Sequence, residues 1–168
     1  MVREHAELVF TLNHLLKVSA DAERSFRLAV SMTDDRELKG LFSHDAEQIA
    51  EFCGELRAEV LKLGGMPDET GTQAGAMRRA RAAAAANAAG RSLAPVVAAC
   101  AKEHDETVRS FDEVLRRPGL TEELRQLVQQ QGMKTREANR RVKQLFARRH
   151  DDVARPVIAG VEMYYVGA

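Results

Sequence analysis

The chain has no tryptophan, 2 tyrosines, 6 phenylalanines, 4 prolines and 2 cysteines among its 168 residues. Cys53 and Cys100 are too few for a disulfide framework and are not spaced as a metal knuckle, which points to a reducing, cytoplasmic setting. Net charge is missing as well: Lys plus Arg and Asp plus Glu stand at 25 each. That balance removes the positive surplus on which general affinity for nucleic acid or acidic membranes depends. Nor does any run approach the roughly 20 apolar residues of a membrane helix. The most apolar region, residues 82–101, is broken by Asn87, Arg91 and Pro95. The opening residues, MVREHAELVF, are charged and have no apolar signal core, so neither a secretory leader nor a membrane anchor is expected.

What is abundant is helix-forming: Ala, Leu, Glu, Arg and Gln, in a length suited to one domain. Four long amphipathic segments follow. Leu8, Leu12, Leu15, Ala22, Phe26 and Ala29 recur at helical spacing from about Glu4 to Ser31. After the turn MTDDRE, with Thr33 or Asp34 as the expected cap, Leu38, Phe42, Ile49, Phe52, Leu56 and Leu63 mark a second helix that LGGMP stops. A third runs from Ser92 or Pro95 to Leu115. A fourth starts at Thr121, whose hydroxyl suits a cap before Glu122 and Glu123, and reaches Arg148.

Between the two hairpins, GGMPDETGTQAG reads as extended chain and AMRRARAAAAANAAG as a short helix whose arginines face water. Such a link exceeds what adjacent helix ends need. It suits a crossover along the length of the bundle, on the order of 40 Å. The tail, residues 149–168, contains the apolar, β-prone stretch RPVIAGVEMYYVGA, which could pack on a second subunit.

Each helix interrupts its apolar stripe once near the middle, at Glu23, Asp45, His104 and Gln131. Counted from the turns, Glu23 is level with Asp45, and His104 with Gln131. If the link crosses the bundle, the two pairs share one layer. Two antiparallel hairpins joined by one long crossover define the ferritin-like bundles. The stretches LNHLLKVSADAERSF, ELKGLFSHDAEQIAEFCGELRAEVLKLGG and the helix from Cys100 to Phe111 also resemble a bacterial ferritin-like domain family of unknown function. The resemblance spans about residues 8 to 146. It implies the fold and an association with stress in some members, and almost no established chemistry.

A ferritin-type di-iron centre takes a Glu from each of two helices and Glu-x-x-His from each of the others. Here the corresponding pairs are Asp45-x-x-Gln48 and Gln131-x-x-Lys134, so a standard di-iron centre is not expected. Glu23, Asp45 and His104 could instead hold one iron, manganese or zinc ion, with Glu47 and Glu51 as weaker candidates. The competing reading is an ion-paired polar layer in which Lys134 or protonated His104 neutralises the carboxylates.

No Gly-rich phosphate loop, nucleophile triad or CxxC is present. Arg78, Arg79 and Arg81 lack interleaved aromatics, which disfavours nucleic-acid binding. The expectation is an all-α, ferritin-like four-helix bundle that acts without catalysis as a structural or interaction protein, dimeric through helical faces or the tail. The alternative is a metal-binding protein with oxygen or peroxide chemistry.

Overall fold

The computed structural model describes residues 2–154 of the chain, with side chains from 4 to 148. It is all-helical there: α1 (Val2–Met32), α2 (Arg36–Lys62), α3 (Gln73–Ala88), α4 (Ala94–Leu115) and α5 (Glu122–Ala154), with no strand among the described residues. The tail's RPVIAGVEMYYVGA stretch and any role in self-association lie outside the described residues. α5 continues to Ala154, past the expected end at Arg148.

Helix ends follow local chemistry. The cap of α2 is Asp35, not Thr33 or Asp34: its carboxylate accepts from the Leu38 N–H at 3.0 Å, while Thr33 Oγ1 accepts from the Asp35 N–H. At the other end Gly64 takes a left-handed φ of 76°. The Gly65 and Gly64 N–H groups then close back on the Val60 and Leu61 carbonyls, which satisfies the last turn. Thr121 Oγ1 accepts from the Leu124 N–H and starts α5 as expected.

α1 packs against α2 and α4, and α5 against α4 and α2, so the four long helices surround one core. Phe26, Phe42 and Phe111 are fully buried in it. Phe26 and Phe42 lie 6.0 Å apart, Phe52 and Phe111 5.2 Å. Each such side chain contributes about 1.5–3 kcal/mol by leaving water.

Contacts set the helix directions. His104 stacks on Phe26, whereas Thr107, one turn later, reaches the Val18 carbonyl, so α4 runs antiparallel to α1. Gln131 meets Glu55 and Arg141 approaches Asp45, so α5 runs antiparallel to α2.

The segment 63–72 runs along the outer face of α1. Asn13 donates to the Met66 carbonyl and accepts from the Asp68 N–H, Lys17 pairs with Asp68 at 2.7 Å, and Arg24 donates to the Glu69 and Thr70 carbonyls. α3 then packs on α1 and α4 through Ala82 and Ala86.

The arginines of α3 do not face water as expected. Arg79 pairs with buried Asp21 at 2.9 Å, and Arg78 with buried Glu103 at 2.7 Å and with Glu106 at 2.7 Å; Arg81 alone of the three is exposed.

Candidate functional site

The helices enclose a small cavity with both polar and apolar walls. Its lining comes from all four long elements: Ser19 and Ala22 of α1, Asp45 and Gln48 of α2, His104 and Thr107 of α4, Gln131 and Thr135 of α5, with Ile49, Phe52 and Ala138 closing it. Its free volume, about 10 Å³, matches the room one water or one ion occupies.

Three groups on this cavity are buried without a hydrogen-bond partner: Ser19 Oγ, both Asp45 carboxylate oxygens and His104 Nδ1. Buried polar groups are nearly always satisfied, because stripping water from one costs about 1–3 kcal/mol. The nearest charge to Asp45 is the half-exposed Arg141, 3.7 Å from Oδ1, beyond hydrogen-bond length. Burial pushes the Asp45 carboxyl up to about 6, against the opposing pull of Arg141 and His44. Burial likewise depresses the His104 imidazole to about 4, against the upward influence of Asn139 and Asp105, so it is neutral at physiological pH. Its ring lies 4.6 Å from that of Phe26.

Asp45, His104 and Gln131, expected in one layer, do line one cavity. Glu23 does not line it. It sits on the flank of α1, paired with Arg27 at 2.8 Å. Glu47, Glu51 and His44 are exposed on α2. Lys134 is exposed and His104 is neutral, so neither neutralises the layer as the ion-paired reading had it. Among the described residues no group of three His, Cys, Asp or Glu is placed to hold a metal ion. A two-iron centre does not fit this donor set: Gln48 stands where a histidine is required, and Gln131 and Lys134 where an acid and a second histidine are.

The periodicity did not reveal a second buried polar cluster. Asp21 accepts from the Thr72 N–H at 2.8 Å, from Thr72 Oγ1 at 2.6 Å and from Arg79. Glu103 is buried beside Arg78, and burial raises its carboxyl even against that arginine. This cluster clamps α3 to α1 and α4. The charged stretch REANRRVKQ also turns partly inward: Asn139 is buried and donates to Asp105 at 2.8 Å.

His5 and His14 are exposed. Cys53 and Cys100 are free and buried, and burial pushes both thiols up, Cys53 to about 12. Neither is a nucleophile. No described helix is long and apolar enough to cross a membrane.

No curated protein matches the chain. A family described as a domain of unknown function (DUF2383) matches residues 7–117, which takes in α1 through α4 with Ser19, Asp45, Gln48 and His104 and stops before α5. With more than half of its length matched, the chain belongs to that family of unknown function.

Proposed function

We propose that the protein is a non-catalytic interaction domain of ferritin-like topology, cytoplasmic and dimeric through a helical face. The observation that carries the reading is an exposed apolar group at one end of the molecule. Phe10 is 76% exposed and Met66 86% exposed. Met66 is tied to the same end of α1 that carries Phe10, because Asn13, one turn along α1 from Phe10, donates to the Met66 carbonyl. Leu61, near the same end of α2, is 57% exposed. Large apolar side chains left exposed toward one end of the molecule suit a contact surface.

The topology is supported by the antiparallel pairing of α1 with α4 and of α2 with α5, and by a link that climbs α1 from Asn13 to Arg24. The interior charges support a non-catalytic role: Asp21 and Glu103 are engaged in holding that link. Two free, buried thiols suit a reducing compartment.

Sedimentation of the full chain at tens of micromolar tests the interaction. The expected result is a dimer that Phe10→Glu with Met66→Glu converts to a monomer. A monomeric wild-type chain overturns it. Spin labels at Leu61→Cys and Ala98→Cys test the crossover. The buried native thiols resist labelling, and the labels should be separated by roughly the length of a helix, on the order of 35 Å. A separation near one interhelical distance rules the crossover out.

A further inference from the structure

We infer that the Asp45–His104 cavity is a single-ion site for a divalent first-row transition metal, a structural centre independent of the self-association proposed above. Residues from four helices line one ion-sized space: Asp45, neither of whose carboxylate oxygens is hydrogen-bonded, His104, whose Nδ1 has no hydrogen-bond partner, Ser19, whose Oγ has none either, and Gln131. Gln131 uses its amide nitrogen on Glu55 at 3.0 Å, which leaves the oxygen as its free polar atom. Asp45, His104 and Ser19 are each at most 1% exposed. One carboxylate, one neutral imidazole and two neutral oxygens form a mixed O/N set of the kind that manganese, iron, cobalt and zinc accept.

The cavity also has an entry path. Of the neighbouring helix pairs around the core, α2 and α5 touch least. Gln48 and Thr135, both half-buried, line the cavity from those two helices. Arg141 stands beside that seam and divides itself between Asp45 at 3.7 Å and Glu137 at 3.4 Å. A cation on Asp45 repels this guanidinium and shifts it to Glu137. Arg141 therefore opposes the metal, and removing its charge strengthens binding.

The test uses the full chain stripped with EDTA and titrated with cobalt(II), followed by ligand-field absorption, with bound metal counted by plasma mass spectrometry after gel filtration. The expected result is one equivalent per chain in the wild type. Affinity falls at least tenfold in Asp45→Asn and His104→Gln, and rises severalfold in Arg141→Gln. His14→Gln with His44→Gln, which removes exposed imidazoles, leaves it unchanged. A folded wild-type chain that retains no metal overturns the site and leaves a water in the cavity. So does binding that survives Asp45→Asn but is lost with the surface histidines. If the two core variants do not fold by circular dichroism, the exposed Arg141 variant decides, and an unchanged affinity there rejects the proposal.

Discussion

Arg79 of α3 and Asp21 of α1 meet at 2.9 Å across a helix pair that backbone hydrogen bonds do not join, with Asp21 only 1% exposed. The same carboxylate receives the N–H and hydroxyl of Thr72, which itself caps α3 by accepting from the Gly75 N–H. One acid thus holds both the end of the extended segment and the start of the helix that follows.

Removing that acid leaves Arg79 with only the Asp21 main-chain carbonyl at 3.2 Å, and takes the carboxylate from both Thr72 donors in a part-buried setting. Asp21→Ala is expected to cost about 3–5 kcal/mol in urea unfolding. Asp112→Ala, which breaks a half-exposed pair with Arg136, should cost no more than about 0.5 kcal/mol. Equal, small losses at the two sites would mean that the clamp contributes little.

Glycine substitutions should divide by position. A Cβ on Gly40 or Gly54, both inside α2, meets nothing within 4 Å. Alanine there should stabilise the protein by about 0.5–1 kcal/mol through helix propensity. A Cβ on Gly75 would run into the Asp21 carboxylate. Gly75→Ala should therefore destabilise, although it too lies in a helix. Thermal midpoints of the three variants check the sign at each site.

Asp45 and His104 carry opposite linkages in metal-free protein. The Asp45 carboxyl, raised from 3.8 to about 6, makes the folded state hold the extra proton between those values, so its contribution weakens as pH rises through that window. The His104 imidazole, lowered from 6.5 to about 4, makes the unfolded state hold the extra proton, so its contribution grows as pH rises from about 4 to 6.5. The two slopes cancel between about pH 4 and 6. Relative to wild type, His104→Gln should lose stability as pH rises across that range, and Asp45→Asn should gain it. The difference is up to about 1.4 kcal/mol per pH unit. Urea unfolding in EDTA at pH 4.5, 5 and 5.5 measures it. Parallel curves for all three proteins would show that the pair does not titrate this way.

Neither thiol should react with a disulfide reagent in the native protein, because both are buried and held protonated. Two equivalents should react in denaturant. Fast modification of Cys53 in buffer would mean that the α2 face opens locally.

The helices were legible because apolar residues at three- and four-residue spacing leave few other ways to bury them, and the Ala-rich segment flanked by glycines marked α3. Asp45, His104 and Gln131 were legible as polar breaks in apolar stripes. Glu23 was a flank position, and a flank residue can turn outward to a neighbour such as Arg27 at no cost in burial. Asp21 and Glu103 escaped detection for a related reason. They face α3, a helix with a short apolar stripe of alanines, so positions opposite it look like solvent-facing ones. Arg78 and Arg79 were misread alongside them, since a buried ion pair has the same composition as a wet surface until both partners are placed.

The outer face of α1 carries Asn13, Lys17, Asp21 and Arg24 in one line, each gripping part of the 66–79 region, while the inner face carries Leu12, Leu15, Ala22 and Phe26. A single residue inserted or deleted between Asn13 and Asp21 rotates everything beyond it by about 100°. Both faces then lose register together, and no compensating slide of the link restores one without losing the other. α1 is therefore the part of the chain whose spacing is locked. Length variation among relatives should collect in the turns before α4 and α5, where no second face is keeping count.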